Sequence, residues 1–285
     1  MTVLLQVSDP HFGTERAAVV EALERFTHGL RPDVLLLSGD ITQRATRPQF
    51  EAARAFVARL RVPAVLAIPG NHDIPLFDLG ARLFAPYARY RHAFGDALEP
   101  TFETADVCVL ALNTTRWYRH EDGAVSAAQI EHVAQRFAAA RPAQWRIVVV
   151  HQPVAVTRQA DQSNLLRGHE AALRRWATAG VDLVVGGHIH LPFVLPLREH
   201  WPDLARPMWA VQAGTAVSDR VRADAGNSVN VIRIGAASGD AAWACASDSA
   251  KTAPRRCTIE RWDHSAAMQR FERVAVHRLE GGHVG

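Results

Sequence analysis

Residues 64–73 read Ala64-Val65-Leu66-Ala67-Ile68-Pro69-Gly70-Asn71-His72-Asp73. A short run of aliphatic residues closed by Pro and Gly predicts a buried strand that delivers polar side chains at its C-terminal end. The same construction recurs along the chain. Val3 to Val7 runs into Asp9-Pro10-His11, and Val34 to Leu37 into Gly39-Asp40. Ile147 to Val150 runs into His151, and Leu183 to Val185 into Gly187-His188-Ile189-His190. Five predicted strands therefore end at Asp, Asn or His. In layered α/β folds that edge is where ligands bind, and rigid strands hold such residues to tight geometry.

Helical periodicity alternates with these runs. Arg16 to Leu30 places Val19, Val20, Leu23 and Phe26 on one face, and Pro48 to Leu60 starts with a proline suited to a first turn. Ser126 to Ala139 begins with a capping serine, and Gly168 to Ala179 carries Leu173 and Trp176. Ala81 to Phe94, with Leu83, Phe84, Tyr87 and Tyr90, reads as an ordinary amphipathic helix, with a small apolar lid as the alternative. From about residue 192 the pattern changes to strands: Phe193 to Leu197, Met208 to Gln212, Val229 to Ile234, Thr258 to Trp262 and Val274 to Leu279. Asp219 to Ser228 and Gly235 to Arg256 read as polar loops between them. The expectation is a mixed α/β (α+β) fold in one domain over residues 1–285, with a mostly antiparallel β end.

Composition excludes several classes. The chain has 285 residues, 48% hydrophobic and 21% charged, ordinary for a globular protein with a sizeable core. No apolar run approaches the roughly 18 residues that span a bilayer. Met1-Thr2 leads straight into an apolar strand with no basic segment or cleavage site, so a cytoplasmic location is expected. Cys108, Cys245 and Cys257 form neither a disulfide framework nor a zinc site, although a Cys245–Cys257 bridge stays open. The formal charge is +3, and all but one of the 32 basic residues are arginine. They are scattered rather than striped and lack an aromatic platform, so nucleic acid is not the expected partner.

The strand-end residues make a chemical set. Asp9 and His11, two apart in an extended segment, project to one side and can share one ion. Asp40 can bind a metal through each carboxylate oxygen and so bridge two. Asn71 adds a neutral oxygen, and His151, His188 and His190 add nitrogens. A mixed N/O set without thiolate suits manganese or an iron–manganese pair, with zinc, cobalt or nickel as alternatives. Two divalent ions against two carboxylates leave a site completed by hydroxide and an anionic phosphate. His72 is the spare imidazole, placed to stabilise a phosphoryl transition state or to protonate a leaving alkoxide. Arg116, Arg119 and Arg158 lie in loops beside these strands and are candidates for gripping phosphate.

These residues resemble the calcineurin-like metallophosphoesterase superfamily, whose pattern D-x-H, G-D, G-N-H-[DE], H and G-H-x-H is complete here from Asp9 to His190. The resemblance implies a four-layer fold, a β-sandwich of two mixed sheets flanked by helices. It implies Asp9, His11, Asp40 and His190 around one metal, and Asp40, Asn71, His151 and His188 around the other, with His72 as the catalytic histidine. Size and motif style are closest to bacterial class III cyclic-nucleotide phosphodiesterases. Many relatives carry an aspartate three residues after the bridging one, orienting the catalytic histidine. Here that position is Gln43, which leaves open what orients His72. The expected activity is hydrolysis of small phosphodiesters, cyclic nucleotides among them, by in-line attack of metal-activated hydroxide. A phosphomonoesterase or nuclease on the same site, and a non-catalytic scaffold, are the alternatives. A homodimer through the apolar C-terminal strands is a further option.

Overall fold

A computed structural model of the protein describes residues 1–119, 121–235 and 255–281. The chain opens with β1 (Thr2–Val7), α1 (Ala17–Leu30), β2 (Val34–Ser38), α2 (Arg47–Leu60) and β3 (Ala64–Ile68). Two short helices, α3 (Leu79–Phe84) and α4 (Ala88–Phe94), lead to β4 (Thr101–Glu103) and β5 (Val107–Ala111). Next come α5 (Ala127–Ala138), β6 (Trp145–Val149), α6 (His169–Thr178) and β7 (Leu183–Gly186). Strands β8 (Phe193–Pro196), β9 (Trp209–Gln212), β10 (Ser228–Ile234), β11 (Arg255–Ser265) and β12 (Arg270–Gly281) complete the described chain.

The strands form two six-stranded mixed sheets, in the orders β12-β11-β10-β1-β2-β3 and β4-β5-β6-β7-β9-β8. Leu4, Leu36, Ile68, Val109, Ile147 and Val185 lie buried in the core between the sheets. A second apolar cluster joins Val19, Leu23, Phe50 and Phe56 of α1 and α2 to Leu5, Leu35 and Leu37 of the first sheet. A third joins Val133 and Phe137 of α5 and Leu173 and Trp176 of α6 to Leu110, Val148 and Val184 of the second. Helix, sheet, sheet and helix thus stack in four layers, the central strands being buried on both faces while the edge strands β4 and β12 are largely exposed. No helix among the described residues is long and apolar enough to cross a membrane.

Helix starts follow the capping signals. Thr46 accepts from the Gln49 N–H at the head of α2, and Ser126 and Gln129 form a reciprocal capping box at the head of α5. The β-rich end departs from the expected antiparallel arrangement at one point: β9 pairs in parallel with β7 and antiparallel with β8. The segment expected as one helix from Ala81 to Phe94 is broken between α3 and α4, because Pro86 follows Ala85 and disfavours helical backbone there. Arg255 and Arg256 belong to β11 rather than to a loop. Cys245 and most of the polar loop expected before β11 lie outside the described residues, while Cys257 is buried in the core between the sheets.

The sheets meet through buried polar groups just beneath their C-terminal edge. Gln6 Nε2 on β1 donates to Ser38 Oγ at 3.2 Å and crosses to the carbonyl of Gly186 at 2.8 Å. Its Oε1 accepts from Asn230 Nδ2 at 2.9 Å. Amides at this depth persist only when their polar atoms are satisfied, so they fix the lateral register of one sheet against the other.

Candidate metal centre

The ends of β1, β2, β3, β6 and β7 converge on one place. Asp9, His11, Asp40 and His190 bring ligand atoms within 4.8 Å of one another, and so do Asp40, His151 and His188. Asp40 belongs to both groups. Asp9, His11, Asp40 and His151 are buried, a placement that ionisable groups tolerate only with compensating partners.

The backbone is bent to make this possible. Nine non-glycine residues have positive φ among those described, and five of them are Asp9, His11, Asp40, His188 and His190. Such conformations are costly for residues with a Cβ and persist where the surrounding structure overdetermines them. The overdetermination is visible. His188 N–H donates to both carboxylate oxygens of Asp9, at 3.1 and 3.0 Å, and Ser8 Oγ donates to Asp9 Oδ2 at 2.6 Å. His72 N–H donates to Asp40 Oδ1 at 2.8 Å. Two glycines permit the close approach: a Cβ on Gly70 would collide with Asp40, and one on Gly187 with Ser8 and Asp9.

Asp73 is the brace of this arrangement. It is buried and accepts the N–H groups of Ile41 at 3.0 Å, Thr42 at 2.8 Å and Gly70 at 2.9 Å, together with the Thr42 hydroxyl at 2.8 Å. The turn after β3 is thereby tied to the loop that carries Asp40.

The histidine tautomers show what the cluster needs. A carbonyl oxygen can only accept, so His151 Nδ1 donates to Ser38 O at 2.9 Å and His190 Nδ1 donates to Arg220 O at 2.5 Å. In the neutral rings both Nε2 atoms then present lone pairs. His151 Nε2 faces Asp40 Oδ1 at 3.3 Å and Asn71 Oδ1 at 3.2 Å, and His190 Nε2 faces Asp9 Oδ1 at 3.4 Å and His11 Nε2 at 3.2 Å. Acceptors gathered this closely are satisfied by protons on the imidazoles or by metal cations in their place. His188 Nδ1 is buried without a hydrogen-bond partner, a further donor atom for a metal. The backbone bonds to the far nitrogens are the orienting contacts that metal-ligating histidines use. The residues therefore fit a pair of divalent cations sharing Asp40.

The electrostatics agree. Burial pulls His151 down, but the charge and hydrogen bond of Asp40 outweigh it and lift its pKa to about 9. Burial likewise opposes protonation of His190, and Asp9 raises it. Burial dominates at His11, which falls to about 3, and at His188, which falls to about 4. For Asp9, burial is outweighed by His190, and its pKa falls to about 2. The cluster thus holds carboxylates that stay ionised and imidazoles that compete for few protons, so metal ions compete directly with those protons.

His72 sits at the rim of the cluster, its ring edge-on to His11 with centroids 4.8 Å apart. The Gln43 carbonyl, rather than the Gln43 side chain, accepts from its Nδ1 at 3.0 Å. The main chain therefore supplies the orienting contact that the missing aspartate would provide. The three candidate arginines are differently placed. Arg116 is tied to the carbonyls of Asn113 and Thr115 and to Gln129. Arg119 faces Asp122 at 3.5 Å and lies over the Tyr118 ring, and Arg158 pairs with Asp224. The arginine set against His72 is one that strand-and-motif reasoning missed: Arg220 Nη1 lies 3.1 Å from His72 Nε2 and 3.1 Å from Gln43 Oε1.

The mouth beside His72 is lined by Gln43, Arg44, Asn71, Ile74, Leu76 and Arg82. Exposed apolar residues border it. Phe77, 77% exposed, lies under the Arg44 guanidinium, and Arg82 reaches across to the Arg119 carbonyl at 2.8 Å, next to Tyr118. Leu79, Leu83 and Phe84 of α3 and Trp117 are also exposed. Of the apolar residues in segment 81–94, Leu83 and Phe84 are exposed, whereas Tyr90 of α4 is fully buried.

Residues 2–192 match the calcineurin-like phosphoesterase family, about two-thirds of the chain. A probable cyclic nucleotide phosphodiesterase of Synechococcus sp. is 29% identical over 168 residues, covering 57% of this chain and 60% of the relative, so the match spans less than two-thirds of that protein. Among solved structures, a dimetal phosphatase from Danio rerio superposes with a TM-score of 0.64 at 13% identity, covering 99% of both chains. A purple acid phosphatase from yellow lupin (Lupinus luteus) seeds gives 0.65 at 12% identity, covering 98% of this chain and 53% of that one. At those identities the likeness concerns the fold.

Two outcomes test the site. Because His151 and His190 hold their protons more tightly than free imidazole, metal uptake at pH 7 should release about one to two protons, and affinity should weaken as pH falls from about 9. Calorimetric titration of chelator-treated protein in two buffers of different ionisation enthalpy measures this; equal heats would contradict it. Asp73→Ala strands buried N–H donors at about 1–3 kcal/mol each, so both the melting temperature and metal occupancy should drop; unchanged occupancy would remove Asp73 from the frame of the site. On sequence, fold and the complete strand-end motif set, this chain belongs to the calcineurin-like phosphoesterase family.

Proposed function

We propose that the protein is a phosphodiesterase for small molecules, cyclic nucleotides or other compact diesters, acting with two divalent cations. Manganese or an iron–manganese pair suits the N/O donor set, with zinc, cobalt or nickel as alternatives. Asp9, His11, Asp40 and His190 would hold one cation, and Asp40, Asn71, His151 and His188 the other. When bound, such a pair lowers the pKa of water and neutralises phosphate charge.

The chain's own residues do the rest. The strand-end ligands would hold the cations beside His72, whose N–H is bonded to Asp40, and the Gln43 carbonyl orients the His72 ring through Nδ1. His72 Nε2, which faces Arg220 Nη1 at 3.1 Å, is the ring atom left to contact the phosphoryl group or the departing oxygen once that guanidinium turns to the substrate.

The observation that carries the diester reading is the mouth itself. Beyond the phosphate, an open diester brings a second organic group, and a cyclic nucleotide brings a nucleoside joined through both ester oxygens, which must be accommodated beside the metal ligands. The exposed rings of Phe77, Tyr118 and Trp117 beside Arg44 and Arg82 offer a stacking surface for such a group, a nucleobase included; stacking is worth about 1–3 kcal/mol per base. The similarity to a probable cyclic nucleotide phosphodiesterase of Synechococcus sp. supports the same reading.

A substrate panel on manganese-loaded protein tests the reading. Bis-p-nitrophenyl phosphate and cyclic AMP should be cleaved faster than p-nitrophenyl phosphate. His72→Ala should cost on the order of 10²–10⁴ in kcat on an alkoxide leaving group, and less for p-nitrophenolate, which departs without a proton. A preference for the monoester would overturn the diesterase assignment, and failure to retain metals would favour a non-catalytic scaffold.

A further inference from the structure

Arg220 occupies an unusual electrostatic position. Its guanidinium contacts a neutral acceptor on each side, His72 Nε2 and Gln43 Oε1, both at 3.1 Å. Among the described residues it forms no ion pair with a carboxylate. Arg119 faces Asp122, Arg158 pairs with Asp224, and Arg222 with Asp161 at 2.8 Å, while Arg44, Arg82 and Arg116, also without a carboxylate partner among the described residues, rest on the Phe77 ring or on main-chain carbonyls rather than on the His72 ring. Arg220 is half-buried, so its charge is partly removed from water without an anion to compensate.

Its backbone is fixed independently of its side chain. The Arg220 carbonyl accepts from His190 Nδ1 at 2.5 Å and from Thr215 Oγ1 at 2.7 Å, and its N–H donates to Ser218 Oγ at 3.3 Å. The loop before it is pinned to the floor of the site by the bond from Ala216 N–H to the Ser8 carbonyl at 3.0 Å. One residue therefore orients a candidate metal ligand through its main chain and extends a guanidinium to the rim of the same site.

We propose that Arg220 is the phosphate-binding residue of this site, donating to a non-bridging oxygen of the bound phosphoester. His72 and Gln43 hold the guanidinium facing the cluster before substrate arrives. The planar fork has N–H groups to spare: Nη1 is engaged by these neighbours, which leaves Nε and Nη2 for an oxyanion. A guanidinium keeps its charge throughout and cannot serve as the proton donor, so Arg220 contributes charge neutralisation rather than acid catalysis. This role holds for a diester or a monoester and does not depend on the diester reading.

The test uses metal-loaded protein with Arg220→Ala and Arg220→Lys. Inorganic phosphate, measured as a competitive inhibitor and by calorimetry, is the probe of anion binding. Arg220→Ala should weaken phosphate binding and raise KM for whichever ester the wild type cleaves by about 10- to 100-fold, the range of a charge-assisted hydrogen bond. Arg220→Lys should recover part of that loss, because the charge returns without the fork. Metal content should stay at the wild-type value, because the His190 contact is made by the main chain. Wild-type phosphate affinity in Arg220→Ala would overturn the proposal. So would a loss confined to kcat, which would make Arg220 a positioning residue for His72. The phosphate measurement stands even if the wild-type panel rejects diesters, so the two readings fail separately.

Discussion

Asp40 is the group on which the site depends. Its carboxylate is buried at the end of β2, faces His151 through Oδ1 at 3.3 Å and His11 through Oδ2 at 3.8 Å, and receives the His72 N–H at 2.8 Å. One side chain thus joins both halves of the candidate centre and the catalytic candidate beside it. Burial opposes its charge, yet the surrounding imidazoles hold its pKa well below the usual carboxylate range. An anion kept charged in a buried place needs cations close by, and the geometry around it provides for them.

The fold serves that requirement. Parallel strands of two stacked sheets end at one edge, and each releases its ligand after a sharp backbone turn. Five ligand candidates adopt left-handed backbone, a strain of the kind that clusters at functional sites. It is offset by local contacts: Asp73 binding three N–H groups, His188 bonding to Asp9, and the amides of Gln6 and Asn230 locking the sheets together below. Rigid strands set the position of the ligands, and the strained turns set their direction.

Much of this was legible in the sequence because strand and ligand are adjacent there. Val34 to Leu37 followed by Gly39-Asp40 reads as strand then ligand, and the structure places it so. Strand β5 carries the same aliphatic signal but ends at no ligand, so no motif marks it in the sequence. Pro86 is the sequence signal for the break between α3 and α4, and it outweighs the apolar periodicity that runs through both helices. Arg220 could not be found this way. It stands 30 residues beyond His190 in a loop without a motif, and only the return of that loop from β9 across Ser8 brings it to His72. The orientation of His72 was hidden for a similar reason, because a backbone carbonyl does the work and leaves no mark in residue type.

The central claim is that Asp40 joins two metal ions in one centre. Electron paramagnetic resonance of manganese-loaded protein, with metal content measured in parallel, tests it most directly. The account predicts two ions per chain with a spin-coupled signal in the wild type, and loss of coupling together with reduced occupancy in Asp40→Asn, whose amide offers one metal-binding oxygen and no charge. A wild type that binds a single ion, or an Asp40→Asn variant that keeps two coupled ions at undiminished affinity, would contradict it.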